Sequence, residues 1–489
     1  MTAMSSDLPS YTLRYLAPLS LMLGLTACTS TGVRGIDDAS VSPPAQWHNA
    51  DETASASDAA SLDTAALQQW WARFDDPVLD RLIGEALAHS PDLQSAVSRV
   101  AVARAQRGVE RADLLPSASA GVSGRGTRTR DHLAETTTNS ESWGASADAS
   151  WEIDLFGRQR LQLSAADANL AQTEENFRAA QVSLAAEVAV TYINLRAAET
   201  QLDVVLRNLD IQEETTQLTR WREQAGQTDS LATLQAEASL EQARASLPSL
   251  RQSIQQTRNQ LAILTGRTPG SLNGLLEASK PIPEVPPQID IGIPAETLRQ
   301  RPDVRAAEYA VQSAVKLADA AQRQRLPSLS LSGSIGVDAL EAGDLFDPQA
   351  TVGSIVGNLT APIFQGGRIH ENIVIQNEQA RQALLAYEST VLDALSEVED
   401  ALISIRTTRE RLATLAKATD AAREAVDLAT LQYESGEADI LDVLNAQRTL
   451  LSLEEQQANT TASQASAHVQ LYKALGGGWT ENIPSLSAN

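Results

Sequence analysis

Residues 431–447 read Leu431-Gln432-Tyr433-Glu434-Ser435-Gly436-Glu437-Ala438-Asp439-Ile440-Leu441-Asp442-Val443-Leu444-Asn445-Ala446-Gln447. The stretch lies between two long segments of helical composition. Gly436 can end a helix, because glycine takes left-handed backbone angles at no steric cost. Asp439 can accept backbone N–H groups at the start of the next helix. The stretch therefore reads as the tip of a helical hairpin. The same grammar stands 210 positions earlier, at Trp221-Arg222-Glu223-Gln224-Ala225-Gly226-Gln227-Thr228-Asp229-Ser230-Leu231, where Gly226 answers to Gly436, Asp229 to Asp439 and Leu231 to Leu441.

The match extends outward from the tips. Pro91-Asp92 recurs as Pro302-Asp303, Leu115-Pro116 as Leu326-Pro327, Gly157-Arg158 as Gly367-Arg368, and Leu264-Thr265-Gly266 as Leu475-Gly476-Gly477. Matches in one order and nearly one register mean an internal duplication. This overrides the prior of about three domains that length alone would give.

Each copy has one plan: a helix of moderate length (78–113 and 294–325), two strands around a polar loop, a very long helix (158–224 and 369–434), the glycine tip, and a return helix (230–264 and 439–475). About 67 residues at about 1.5 Å each make roughly 100 Å, so the long helix must project rather than fold into a compact domain. The return helix is about half as long, and the opening helix can stack end to end with it to complete the length. Pro248 predicts a local kink in the first return helix. Pro281-Ile282-Pro283-Glu284-Val285-Pro286-Pro287 reads as a stiff linker between the copies.

The strands alternate. Ser328, Ser330, Ser332 and Ser334 interleave with Leu329, Leu331, Gly333, Ile335 and Val337. Trp143, Ala145, Ala147, Ala149, Trp151, Ile153 and Leu155 interleave with Gly144, Ser146, Asp148, Ser150, Glu152 and Asp154. Period two puts each set on its own face. A soluble sheet explains alternation equally well, but a length of about 10–13 residues fits a tilted membrane strand. Trp143 and Trp151 lie on the apolar face, on the order of 20 Å apart along the membrane normal, as a pair of aromatic girdles would. The strand at 351–364 is less regular, since Val352 and Val356 break its pattern. Four strands cannot close a barrel, and open edges are not tolerated in lipid. The chain must oligomerise, and three copies would give twelve strands.

Composition narrows the function. The net charge of −24 argues against a nucleic-acid partner. Aromatics at 4% suit long, closely packed helices better than a thick globular core. The single cysteine permits neither an intrachain disulfide nor a cysteine-based zinc site, and the five histidines show no ligand spacing, so no metal site is expected. No nucleophile-and-base constellation or phosphate-binding loop stands out, and the chain is not expected to be an enzyme.

The N-terminus carries Arg14, then an apolar run from Leu16 to Leu25 too short to span a bilayer as a mature helix. It reads as a secretory signal. Its end, Leu25-Thr26-Ala27-Cys28, resembles the bacterial lipobox, which implies cleavage before Cys28 and a covalent lipid on its thiol, the only attached group expected. Thr29 follows, where the inner-membrane retention signal has Asp, so the outer membrane is favoured. The expected divisions are 1–27 signal peptide, 28–66 lipidated extended segment, 67–270 first repeat, 271–293 linker, 294–478 second repeat and 479–489 tail.

Taken together, the lipobox at Cys28, Trp70-Trp71…Phe74…Asp76-Pro77…Leu79, Ser90-Pro91-Asp92 with Arg301-Pro302-Asp303, Asp154-Leu155-Phe156-Gly157-Arg158, Pro362-Ile363-Phe364-Gln365-Gly366-Gly367-Arg368 and Gly436 through Gln447 resemble the outer membrane factor (TolC-like) family, in its lipoprotein, NodT-type branch. The resemblance spans nearly the whole mature chain. It implies a mainly α chain with a membrane β-barrel: a homotrimer whose 12-stranded outer-membrane barrel continues into a 12-helix periplasmic α-barrel, with two tandem repeats per chain. It implies the exit duct of a tripartite efflux system, passing small molecules such as drugs from a periplasmic adaptor (membrane fusion) protein and an inner-membrane pump. The adaptor would dock at the tips, at Gly226, Asp229 and Gly436. Exit ducts for type I protein secretion or metal efflux, and a non-conducting scaffold lipoprotein, are the alternatives.

The gate is expected beside the second tip. Asp439 and Asp442 are three apart and share a helix face, and Leu441 and Asn445 extend the constriction. In a trimer the aspartates form rings, which attract cations. The family's motif is Leu-Asp-Ala-Gln; here Leu444-Asn445-Ala446-Gln447 leaves one ring neutral. The alternative is that Asp439 only caps the helix and Asp442 is a solvated charge.

Overall fold

The computed structural model describes residues 33–50, 67–131, 135–286, 294–341, 343 and 351–480. The first repeat contains α1 (Pro77–His89), α2 (Pro91–Ala112), β1 (Ser117–Asp131), β2 (Thr136–Ile153), α3 (Arg158–Gln224) and α4 (Ser230–Leu264). The second contains α5 (Pro294–Gln300), α6 (Pro302–Arg323), β3 (Ser328–Ala339), β4 (Thr351–Thr360), α7 (Arg368–Ser435) and α8 (Ile440–Ala474).

Two expectations need correction. The opening helix of each repeat is not one helix but two, divided at Ser90 and Arg301. A residue before proline is pushed out of the α region, and Ser90 and Arg301 stand at ψ 127° and 122°. Pro91 and Pro302 then start the next helix, where a missing N–H costs nothing. The first two strands are also longer than expected, at 15 and 18 residues. Pro248, by contrast, does not interrupt α4.

The long helices α3 and α7, of 67 and 68 residues, each follow a left-handed glycine, Gly157 or Gly367. All four hairpin helices end alike. Gly226, Gly266, Gly436 and Gly476 each return an amide to the carbonyl three residues back, and the next residue bonds five back. This is the Schellman closure that glycine's positive φ permits. Gly476 lies against the Arg301 backbone, 3.1 Å from where a Cβ would stand, so the end of α8 wedges into the proline break of its own repeat. Gly266 takes the equivalent place beside His89. The duplication also keeps an interhelical ion pair with its charges exchanged. Arg244 meets Glu213 at 2.6 Å in the first hairpin, and Glu454 meets Arg423 at 2.9 Å at the same positions of the second.

The main core lies at mid-length of the long helices. Trp70 is fully buried, stacked on Tyr472 at 5.4 Å between centroids and edge-on to Trp71 and Phe74. Farther along α3, Arg196 is fully buried, paired with Glu199 at 2.5 Å, and holds the Ala278 carbonyl at 3.0 Å. Arg258 shares Glu199 at 2.9 Å and holds the Leu276 carbonyl at 2.9 Å. Two arginines thus fasten the start of the linker to the first hairpin. The N-terminal segment runs along α7. Ser40 donates to Glu388 from its amide and hydroxyl, at 2.6 and 2.9 Å. His48 and Asn49 donate to Glu399, and Trp47 is buried in the main core.

The four strands form one antiparallel sheet in the order β1-β2-β3-β4. Its register makes the alternation of each strand coincide. Val122, Ala145 and Val337 stand in one row and Gly333, Ala149 and Ile355 in another, giving a continuous apolar face. The opposite face carries the serines, with Ser117–Ser150 and Ser334–Ser354 hydroxyls in contact at 2.9 and 2.7 Å. Val352 and Val356 fall on this polar face, which is why they break the pattern. Among the described residues, β1 and β4 each leave one edge unpaired.

Candidate functional site

At the first tip, Asp229 accepts the Ala232 amide at 3.1 Å and starts α4. At the second, Asp439 and Asp442 form a capping box, with the Asp442 carboxylate accepting the Asp439 amide at 3.3 Å. Both aspartates therefore have a capping role. They are also exposed, as are Leu441 and Asn445, while Ile440, Val443 and Leu444 are buried against Ala232 and Tyr433. All four expected gate residues thus stand on the side of α8 turned away from the first hairpin. Gly226 and Gly436 are exposed at the ends of their helices, with φ of 71° and 81°.

The tips are joined by contacts that sequence reading missed. Arg222 lies over the Tyr433 ring at 4.6 Å and donates to the Tyr433 carbonyl. The Tyr433 and Thr219 hydroxyls meet at 3.3 Å, and Gln447 donates to Thr215 at 2.9 Å. No sequence signal marks these pairs, which are set by how two separate hairpins lie together.

In the sheet, Trp143 is exposed on the apolar face, its ring covering Gly124 on β1. Trp151 is half-buried, its indole N–H donating to the Leu114 carbonyl at 3.0 Å. Near it the turns after β2 and β4 expose Phe156 and Phe364, the latter 88% accessible and preceded by Ile363 at 98%. The repeated Gly-Arg that follows each turn could have pointed to them. Cys28 lies outside the described residues. No helix among those residues is long and apolar enough to cross a membrane, and no cluster of three or more metal-ligand side chains occurs among them.

Between the core and α1, Asp76 accepts the Val78 amide at 2.8 Å and the Tyr192 hydroxyl at 2.6 Å, with Lys280 at 3.5 Å. Burial pushes its pKa up, but these partners outweigh it and hold the carboxyl below its ordinary range. At the second proline break, burial likewise opposes and Arg301 overcomes, keeping Asp303 low.

Residues 82–267 and 293–477 each match the model of the family described as outer membrane efflux protein. The pyoverdine export outer membrane protein OpmQ of Pseudomonas putida is 32% identical over 96% of this chain and 99% of its own length. The toluene efflux pump outer membrane protein TtgF of P. putida is 31% identical over 85% of this chain and 86% of its own. The solved structure of the outer-membrane channel OprN superposes with a TM-score of 0.79 at 32% identity, over 88% of this chain and 98% of that one.

Proposed function

The chain belongs to the outer membrane efflux protein family, and on that premise we propose how it serves as the outer-membrane channel of an efflux pump. Three copies join β4 of one to β1 of the next, giving twelve strands. The serine-lined face encloses water and the apolar face meets lipid. The four hairpin helices of each protomer, completed by the shorter helices stacked on them, make a twelve-helix periplasmic tunnel. The carrying observation is the two-faced sheet with unpaired edges, continuous with helices about 100 Å long. Transport is passive, and the driving energy comes from the pump. Relatives named for pyoverdine export and for toluene efflux are similar to this chain to nearly the same degree, 32% and 31% identical. That fits a duct whose small-molecule cargo is chosen upstream.

A periplasmic adaptor docks at the tips, around Gly226, Asp229 and Gly436. Asp439, Leu441, Asp442 and Asn445 ring the closed entrance, where repulsion among carboxylates or a bound cation tunes opening. The test is single-channel recording of the purified protein in planar bilayers. The wild type should conduct, and Asp442→Ala should raise leak in the closed state; unchanged leak would remove Asp442 from the gate.

A lipid on Cys28 fits the course of the N-terminal segment. Glu388 lies 20 residues into α7, about 30 Å from its membrane end. The 12 residues from Cys28 to Ser40 can span roughly 40 Å, enough to reach the bilayer. Mass spectrometry of the N-terminal peptide tests this: an acylated Cys28 supports it, and an unmodified one removes it.

A further inference from the structure

The charges of the sheet are sorted by face. Among the described strands the only basic residues are Arg125, Arg128 and Arg130, all at the outer end of β1. Register places Arg128 and Arg130 on the apolar face, opposite Asn139 and Thr137, and Arg125 on the polar face, opposite Ser142. The acids go the other way: Asp148, Glu152 and Asp338 all lie on the polar face. Only Glu141, opposite Gly126, shares the outward face with the two arginines.

Height matters as much as face. β2 runs seven residues past Trp143, and those rows are polar on both faces, so the hydrophobic band ends at Trp143. Arg128 stands four rows above Gly124, the partner of Trp143, and Arg130 six rows above. At about 3.3 Å per row and a tilt near 40°, that is roughly 10 and 15 Å along the membrane normal. A headgroup layer is roughly 5–8 Å deep, and an arginine side chain reaches back over several ångströms, so Arg128 meets the headgroups and Arg130 their outer edge. Both are exposed, and neither makes an ion pair among the described residues.

We infer that Arg128 and Arg130 bind the phosphates of the glycolipid in the outer leaflet, fixing the taller β-hairpin to the lipid around the barrel. Guanidinium suits this, because its fork of donors matches phosphate oxygens in pairs and it is always charged. The inference rests on the barrel reading above.

The test uses the full chain purified from outer membranes in mild detergent, with lipid A as the probe. Wild type, Arg128→Ala/Arg130→Ala and Arg125→Ala are compared for co-purified lipid A, for affinity toward added lipid A and its dephosphorylated form, and for oligomeric mass. The double variant should bind lipid A roughly tenfold more weakly, Arg125→Ala should match wild type, and dephosphorylated lipid A should bind none of them tightly. Equal binding by the double variant, or equal binding of the dephosphorylated form, overturns the proposal. Loss of the trimer in wild type would instead strike the barrel reading.

Discussion

Gly226 and Gly477 both lie just beyond a helix end, yet a methyl group would meet different surroundings at each. Gly226 has φ 71° and open space around its missing Cβ, so Gly226→Ala should cost only the backbone strain, about 1 kcal/mol. At Gly477 the Leu67 carbonyl stands 2.7 Å from the Cβ position, and backbone must move. Gly477→Ala should cost about 3 kcal/mol, and thermal melts of the two variants separate the cases. Asp76 gives a pH prediction. Its folded pKa lies below the unfolded value of about 3.9, so its contribution is complete above that value and is lost as pH falls through the folded one. Tyr192→Phe removes the hydroxyl donor. It should lower stability at neutral pH by about 1–2 kcal/mol and make the loss below about pH 4 shallower, as melting temperature against pH will record.

The elements of this chain are defined by faces, and faces can be tested by neighbours in sequence. Ile335 is exposed on the apolar side of β3, and Ser334 lies half-buried on the polar side. Ile335→Lys should cost about 2–4 kcal/mol in the bilayer, while Ser334→Lys should be tolerated, a contrast visible in the yield of trimer from membranes. Helical hairpins offer a gentler case. Arg244→Glu alone sets like charges against Glu213 and Glu241 and should lower the melting temperature only slightly, because both pairs are exposed; adding Glu213→Arg should restore part of the loss, the Glu241 contact remaining repulsive. Much at this scale was legible. Alternation in 328–337 and 143–155 marked both strands and their faces, and the glycine-aspartate tips marked four helix ends. The length of β2 was not legible, because the rows beyond Trp143 are polar on both sides and lose the period-two signal. The breaks at Ser90 and Arg301 are legible in the sequence, since each precedes a proline of the repeat, Pro91 or Pro302, and such a residue is pushed out of the α region.

At the scale of the molecule, sequence carried the duplication and the need for other copies, because four strands leave two edges. It could not carry the contacts between hairpins. Arg222 and Tyr433 are 211 residues apart and belong to different repeats, and nothing in either local sequence requires the other. The expected gate residues show why such sites resist reading: Asp439 and Asp442 are capping residues in one chain, and only a ring of chains could give their exposed sides a second role. The main core joins the extremes of the chain. Ser40 bonds 348 residues ahead and His48 351 ahead, Trp70 stacks on Tyr472, and the Gly478 amide closes on the Leu67 carbonyl at 3.1 Å. For a secreted chain this sets an order in time. The segment that crosses the inner membrane first waits for α7 to cross before Ser40 and His48 find their partners, and for the end of α8 before Leu67 and Trp70 find theirs, and contacts this distant in sequence form slowly. A nascent chain halted before α8 would leave Trp70 without the Tyr472 ring that stacks on it, and proteases that survey unfolded protein in the periplasm would reach it first.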